Sequence, residues 1–336
     1  MTRTPKSPAH ATVLTVILNW RTAEMTERAA RAALRAMEGV AGGLNIVDND
    51  SGDGSFEHLR AAFAGDSRVQ VIQSGHNGGY GAGNNVGIRA RLPGGAQPDL
   101  VYLLNSDAFP APDAIAQLRD YLCAHPDYGI AGSHIHGTDG ETHVTCFRFP
   151  SVWSEFEGAA HTGPVSRLLA RHRVPLDPPS VPARVDWLAG ASLMIRSAVL
   201  DRVGLFDEGF FLYFEETDLC RRVAGAGWLC AYVPGSRVEH IGSVSTGMRG
   251  WERVPGYWFD SRWRYFAKHH GTFGAALATL AHLAGAALWG VRRFVQRKAP
   301  RSAPYFFRDL VRHALNRIIF RPAPAGPHDR REQPAR

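Results

Sequence analysis

The 336-residue chain has only four cysteines, Cys123, Cys146, Cys220 and Cys230, and no two of them form a C-x-x-C pair. This spacing excludes a zinc knuckle and supplies no disulfide framework, so reduced thiols are expected. No G-K-S or G-K-T triplet occurs, which excludes a Walker loop. A dinucleotide fingerprint would open the helix after the first strand, and the sequence there has no G-x-G-x-x-G. The amino end, MTRTPKSPAHA, lacks the apolar centre of a signal peptide, and a cytoplasmic location is expected. Long hydrophobic runs are scarce. Residues 273–291 carry no charge, but Ala and Gly dominate them and His282 lies in the middle, so their transfer energy is weak and favours an interfacial or packed helix over a membrane span.

What is present is a globular chain, 45% hydrophobic, with an uneven charge. The net charge is +7, yet residues 292–336 hold twelve Lys or Arg against three acids, so that segment is +9 and the remainder is −2. A basic segment meets nucleic acid or an anionic membrane, and its surroundings here favour membrane over nucleic acid. Residues 305–320 (YFFRDLVRHALNRIIF) set aromatic and aliphatic side chains against Arg308, Arg312 and Arg317 at helical spacing, the pattern of an interfacial amphipathic helix. A helix pair packed on the domain, with its arginines solvated, fits the same pattern equally.

Strand and helix signals alternate through the first 125 residues. Residues 13–20 (VLTVILNW) read as a buried strand and 22–37 as a helix. Strands at 44–47 and 69–73, helices at 55–63 and near 84–91, and a strand from 100 follow on short connections. The alternation predicts a single mostly parallel sheet covered by helices on both faces.

The stretch 100–110, LVYLLNSDAFP, ends an apolar run abruptly in Asn105, Ser106 and Asp107. The carboxyl ends of parallel strands open on the ligand crevice, and a hard divalent cation takes oxygen ligands while sharing its shell with substrate phosphates. Asp107 is therefore a candidate metal ligand. A turn before Pro110 that caps the next helix is the competing reading. Two other strands end in polar clusters, Asn19 with Arg21 and Asp48 to Ser51. Asp48 is placed to accept a pyrimidine imide hydrogen or a ribose hydroxyl. An EF-hand at DNDSGDG is excluded, because Asp53 stands where glycine is required and Leu59 where the twelfth-position glutamate belongs.

The loop 76–87 (HNGGYGAGNNVG) has five glycines, so backbone turns tightly or approaches something closely. Asn77, Gly78, Asn84 and Asn85 are candidates to contact a nucleotide or sugar, with a structural glycine turn as the rival. Strands are expected at 129–136 and 142–149, and the Pro-rich 151–183 reads as an irregular, mobile flap. Glu215, Glu216 and Asp218 open a helix directly after FFLYF. Acids there suit the helix dipole, but a carboxylate against an apolar wall and other acids also has its pKa raised, as a general base requires. His240 ends a final strand in VEHIGSVS, where it is either structural or a metal ligand.

In this order, VLTVILNW, IVDNDSGDGS, NGGYGAGNNVGI, YLLNSDAFP, WLAGASLMIR, GLFDEGFFLYFEETDLCRR and VEHIGSVS resemble the inverting family 2 glycosyltransferases of the GT-A fold. The resemblance is closer still to the bacterial rhamnosyltransferase-like branch that builds cell-envelope polysaccharides, and it covers roughly 12–268. It implies that Asn105-Ser106-Asp107 occupies the D-x-D position, with Asp107 binding Mg2+ or Mn2+ and Asn105 replacing the first aspartate. It implies a base pocket at Asp48 and Asn49 with Asn19 and Arg21 nearby, His240 completing the metal shell, and an acceptor site at Trp187, Gly190 and Ala191. Glu216 falls on the catalytic base, one methylene longer than the family's aspartate, with Glu215 and Asp218 in reserve.

The reaction implied is an in-line displacement moving a sugar from a nucleotide-diphosphate donor, by branch dTDP-rhamnose with UDP- and GDP-sugars as alternatives, to a glycan or polyprenyl-diphosphate-linked acceptor. The resemblance predicts a GT-A domain over 12–270, with a nucleotide half (12–125) and an acceptor half (126–270). Helices at 271–321 would dock peripherally on the cytoplasmic membrane face, between free tails at 1–11 and 322–336. Two rival classes are sugar-phosphate nucleotidyltransfer, which needs a glycine-rich basic loop after the first strand, and a non-catalytic nucleotide-sugar-binding protein of the same fold.

Overall fold

The computed structural model describes residues 10–242, 251–299 and 302–320. Most of the expected amino-terminal tail, the tail at 322–336 and positions 243–245 of the last expected element lie outside these residues. The first four strands, β1 (Val13–Asn19), β2 (Gly42–Asp48), β3 (Val69–Gln73) and β4 (Leu100–Asn105), alternate with the helices α1 (Ala23–Ala36), α2 (Ser55–Ala62) and α3 (Tyr80–Arg89). There follow β5 (Ala108–Pro110), α4 (Ala114–Ala124), β6 (Tyr128–His136), β7 (Cys146–Phe147), α5 (Val152–Ala160), α6 (Gly163–Leu168), β8 (Ala183–Val185), β9 (Trp187–Leu188), β10 (Ser192–Arg196), α7 (Ser197–Val203), α8 (Glu215–Gly225), β11 (Leu229–His240), α9 (Gly256–Gln296) and α10 (Phe306–Ile319).

The main sheet runs β3-β2-β1-β4-β10-β6-β11-β5, with β8 on the flank of β11. β1, β2, β3 and β4 are mutually parallel. β10 is antiparallel to both β4 and β6, so those two share a direction, and β11 is parallel to β6. Six strands thus point the same way. The reversed β10 has the opposite polarity, so it begins at the edge where its neighbours end.

Both faces of the sheet are covered, as the apolar strands require. Ile17, Ile46 and Leu104 join α1 and α4 in one core, while Leu14, Val16 and Leu103 join α7 and α8 in the other. Each such buried side chain contributes about 1.5–3 kcal/mol. Glycine explains how closely α3 lies on β1. A Cβ at Gly83 would come 2.3 Å from Leu18 Cδ1, and one at Gly87 would come 2.5 Å from Val16 Cγ1. The helix therefore starts at Tyr80, inside the stretch expected as loop.

Three expectations change. The strand expected at 142–149 shrinks to β7, which pairs with β9 in a two-stranded ribbon and makes an isolated bridge to Pro175. The stretch 151–183, expected to be irregular, opens instead with α5, whose Ser151 and Ser154 form a reciprocal cap. The last strand is long, because β11 begins at Leu229; its register shifts between Val233 and Arg237, where Pro234 and Gly235 make a bulge.

α9 joins the two halves of the chain's helical layer. Its first part packs Phe259, Trp263 and Phe266 inward, and the helix breaks at Gly271 (φ 73°). Its second part runs along α5, where a Cβ at Gly285 would lie 2.4 Å from Phe156 O. Arg262, only 2% exposed, fixes this contact, with Nη2 donating to Glu155 Oε2 (2.9 Å) and Nη1 to Thr279 Oγ1 (3.1 Å). His282 also bonds Glu155 (2.9 Å). Burial opposes the Glu155 charge, but Arg262 and His282 overcome it and hold that carboxyl at about 2.

Candidate active site

The shared strand direction brings the chemistry to one edge. Asn19, Asp48 and Asn105 end β1, β2 and β4, His240 ends β11, and Ala191 precedes the reversed β10. The Asn105 amide donates to Ala191 O (3.1 Å), joining the two halves of the edge.

At the β1/β2 end, Asn19 Nδ2 donates to Asp48 Oδ1 (2.7 Å). Ser51 donates to the same carboxylate through its amide (3.1 Å) and hydroxyl (2.6 Å), and Arg21 Nε donates to Ser51 O (3.0 Å). Asn19, Asp48 and Asn49 are all buried. Ser51 was legible only as part of the polar cluster, yet it ties Asn19, Arg21 and Asp48 together. Arg21 itself is exposed, with its guanidinium over the Trp20 ring. Asn49 Nδ2 donates to Asn77 Oδ1 (2.9 Å), and Asn49 Oδ1 is buried without a partner among the described residues.

Beside this, Asp107 Oδ1 lies 3.0 Å from His240 Nε2, and Asn105 Nδ2 is 3.4 Å from the same nitrogen. Ser106 and Asp107 are 5% exposed, and Ser106 Oγ accepts from Thr22 (3.4 Å). No group of three or more His, Cys, Asp or Glu able to hold a metal occurs among the described residues. One carboxylate and one imidazole still fit an ion that keeps most of its shell for phosphate oxygens and water, as Mg2+ does.

The third cluster opens α8. Tyr213 (φ 69°) and Phe214 (φ 67°) both adopt left-handed backbone just before Glu215, a conformation that costs roughly 1–2 kcal/mol per residue. Glu215 and Glu216 each have an Oε2 that is buried and without a partner among the described residues. Burial raises the Glu216 carboxyl to about 7, with the Gly190 amide pulling it back. Burial, then the charge of Glu216, raises Glu215 further. Tyr80 OH, unnoticed in the sequence, donates to Gly190 O (2.7 Å), and burial followed by the charges of Glu216 and Glu215 pushes its own pKa up. Tyr213 meets Trp251 and Tyr257, with ring centroids 5.8 and 6.4 Å away, in an aromatic wall assembled from distant sequence.

Residues 13–254 match the family described as Glycosyltransferase like family 2. The chain belongs to that family. This glycosyltransferase is 33% identical over 214 residues, 60% of its own chain and 67% of the other, to an N-acetylglucosaminyl-diphospho-decaprenol L-rhamnosyltransferase of Mycobacterium tuberculosis. It is 43% identical over 56 residues, 17% of its chain and 21% of the other, to rhamnosyltransferase WbbL of Escherichia coli. In structure it resembles a mannosyltransferase of Pyrobaculum calidifontis solved with GDP-Man and Mn2+, with a TM-score of 0.52 at 14% identity over 94% and 90% of the two chains. It also resembles GalNAc-T7 with UDP, GalNAc and Mn2+, with a TM-score of 0.56 at 15% identity over 90% and 57%. The fold is GT-A, and nucleotidyltransfer is set aside.

The remaining expected site residues have other partners in the glycosyltransferase. The carboxylate of Asp218, the expected reserve base, has no exposed surface and is bound by Arg222, Lys268 and His269, each at 2.8 Å. Burial works against its charge, but the bonds from His269 and Lys268 and the charge of Arg222 win and keep its pKa low. Asn85 is fully buried and clips α3 to the next layer, bonding Phe206 O and Glu208 and accepting from the Phe206 amide. Asn84 is 1% exposed and returns to Tyr80 O. Asn77 is a turn former that holds Gly79 N and Asn49, and a Cβ on Gly78 would meet Ala82 Cβ at 2.4 Å, so packing accounts for that glycine. Trp187 stacks on Phe147 (4.2 Å) and donates to Arg148 O (2.8 Å), three residues before Gly190.

Proposed function

We propose that this enzyme transfers a sugar with inversion from a nucleotide-diphosphate donor, dTDP-rhamnose, to a polyprenyl-diphosphate-linked glycan acceptor. The observation that carries the reading is Glu216. It is a carboxyl tuned to about 7, with one oxygen unpartnered among the described residues, at an edge that also carries Asp107 and Asp48. Such a group accepts a proton from an acceptor hydroxyl near neutral pH, which is the role of a general base. Glu215, buried beside it, also has its pKa raised, by burial first and then by the charge of Glu216.

Asp48, held by Asn19 and Ser51, receives the base or ribose of the donor. Asp107 and His240 are the residues to hold Mg2+ or Mn2+, which when bound supplies positive charge for the leaving diphosphate. Trp187, Gly190 and Ala191 form the acceptor wall, and Tyr80 fixes that wall through Gly190 O. Sugar and acceptor follow the mycobacterial relative, whose name specifies rhamnose and a diphospho-decaprenol carrier.

The carboxyl-terminal helices support work at the cytoplasmic membrane surface. α9 is long and apolar enough to cross a membrane, and only 28% of its most apolar window is buried. One side of it packs on α5, while Phe273, Leu280, Val291 and Phe294 face out, ahead of Arg297 and Lys298. Apolar side chains bordered by cations suit a bilayer interface.

The test is rhamnose transfer from dTDP-rhamnose to lipid-linked N-acetylglucosamine with Mn2+, by wild type and by Asp107→Ala. Transfer that requires both the metal and Asp107 supports the reading. Efficient transfer from another donor with none from dTDP-rhamnose overturns the donor, and turnover by Asp107→Ala overturns the site.

A further inference from the structure

Away from the sheet edge, a cavity of about 510 Å³ lies between α6 and the segment that follows it, lined by Arg148, Arg167, Arg173, Ser166, Leu176 and Asp177. Three guanidinium groups meet one carboxylate there. Arg173 reaches Asp177 only at 3.7 Å, and Arg167 is exposed with no ion pair among the described residues. Arg148 is held in place, with Nη1 donating to Arg173 O (3.1 Å) and its amide to Val174 O (2.8 Å). An excess of guanidinium in a concave site is the chemistry of phosphate recognition, since the planar fork matches phosphate oxygens in pairs.

The position of this cavity is informative. Residues 174–176 lie against β7, with Leu176 N donating to Cys146 O (3.0 Å) and Phe147 bridging Pro175; β7 in turn pairs with β9. The arginine cavity and Trp187 are therefore the two sides of one narrow ribbon, about 10 Å across at the usual strand spacing. The acceptor wall continues from Trp187 to Gly190 and Glu216. Leu168, 84% exposed, follows the lining residue Arg167 in the chain, and Trp153, 58% exposed, has its ring 6.3 Å from that of His172, the residue before the lining Arg173. The guanidinium groups thus lie across β7 from Trp187, on a segment that also carries exposed apolar side chains. A sugar linked through a diphosphate to a hydrocarbon chain combines the partners for these chemistries.

We infer that the cavity formed by Arg148, Arg167 and Arg173 binds the diphosphate of a lipid-linked acceptor, at a site separate from the one that binds the donor diphosphate beside Asp107. The inference rests on the proposed acceptor class. The experiment uses full-length protein and phosphatidylcholine vesicles carrying either polyprenyl diphosphate or phosphatidylserine at matched charge. Sedimentation is measured for wild type and for Arg167→Glu/Arg173→Glu. Wild type is expected to prefer the polyprenyl diphosphate vesicles, and the double variant to lose about tenfold or more of that affinity, as loss of charge-assisted bonds predicts. Its binding to phosphatidylserine vesicles and its stabilisation by dTDP with Mn2+ should stay at the wild-type level.

Unchanged binding of the variant to polyprenyl diphosphate overturns the site. Equal loss on both vesicle types also overturns it, because the arginines are then a general anionic-surface patch. Failure of dTDP with Mn2+ to stabilise wild type counts against the proposed donor, not against this cavity. Should the double variant fold poorly, Arg167→Gln, at an exposed side chain, carries the same readout.

Discussion

The first turn of α8 carries three acids, and its two sides treat them in opposite ways. Asp218, facing α9, collects Arg222, Lys268 and His269 and stays ionised. Glu215 and Glu216, facing Gly190 and Tyr80, are given no cation and have their pKa values raised. The same division runs through the rest of the molecule. Glu155 and Asp207, which tie α9 to the domain, each hold cationic partners and have lowered pKa values. An acid supplied with cations secures packing, and an acid denied them keeps a proton to exchange.

The sharpest way to break this comparison is to exchange the fates of the two sides. Glu216→Gln should lower the rate of transfer about 10²–10⁴-fold, the usual contribution of a positioned base, with the fold retained. Asp218→Ala should do the reverse, costing about 3–5 kcal/mol of stability as its cations lose their partner, with turnover per folded molecule largely kept. Thermal melting beside initial rates separates the two. If Asp218→Ala abolishes turnover in folded protein, the division is wrong.

Asp107→Ala should remove metal-dependent stabilisation by dTDP, which at a hundredfold its Kd is worth about 2.7 kcal/mol. A melting series with and without Mn2+ checks it.

The pH dependence sharpens the comparison next. Activity should rise with pH through about 7 as Glu216 loses its proton. Its raised pKa means that the unfolded chain binds fewer protons between about 4.5 and 7, so this group's contribution to stability falls as pH climbs through that window, and Glu216→Gln should blunt the fall. Glu155 behaves oppositely. Its stabilisation is present above 4.5 and lost as pH falls through about 2, so the melting difference between wild type and Glu155→Gln should shrink on acidification. The smallest effect is expected for Tyr80→Phe, about 1 kcal/mol for one hydrogen bond, read as a modest shift in the pH profile of transfer.

Much of the nucleotide half was legible from residue order. Apolar runs ending in Asn19, Asp48 and Asn105 mark strand tips, and a parallel sheet gathers such tips at one edge. The burial of the α3 asparagines was not legible, because the sequence does not say which amides are buried. Asn85 spends its whole side chain on Phe206 and Glu208, over a hundred positions away. Tyr80 carried no local signal at all, since its importance depends on Gly190 being opposite. The irregular reading of 151–183 failed for a related reason. Its prolines sit mostly after α5 and α6, and the Ser151 cap and the α9 surface stabilise a helix that composition alone obscured.

The sequence by itself determined the strand and helix alternation, the polar strand tips and the acids after FFLYF, because local periodicity and backbone propensity act over a few residues. Tertiary structure alone decided which acid is paired with cations and which is buried without them. Ionisation depends on burial and on cations brought from α9, such as Lys268 and His269, about fifty residues along the chain from Asp218.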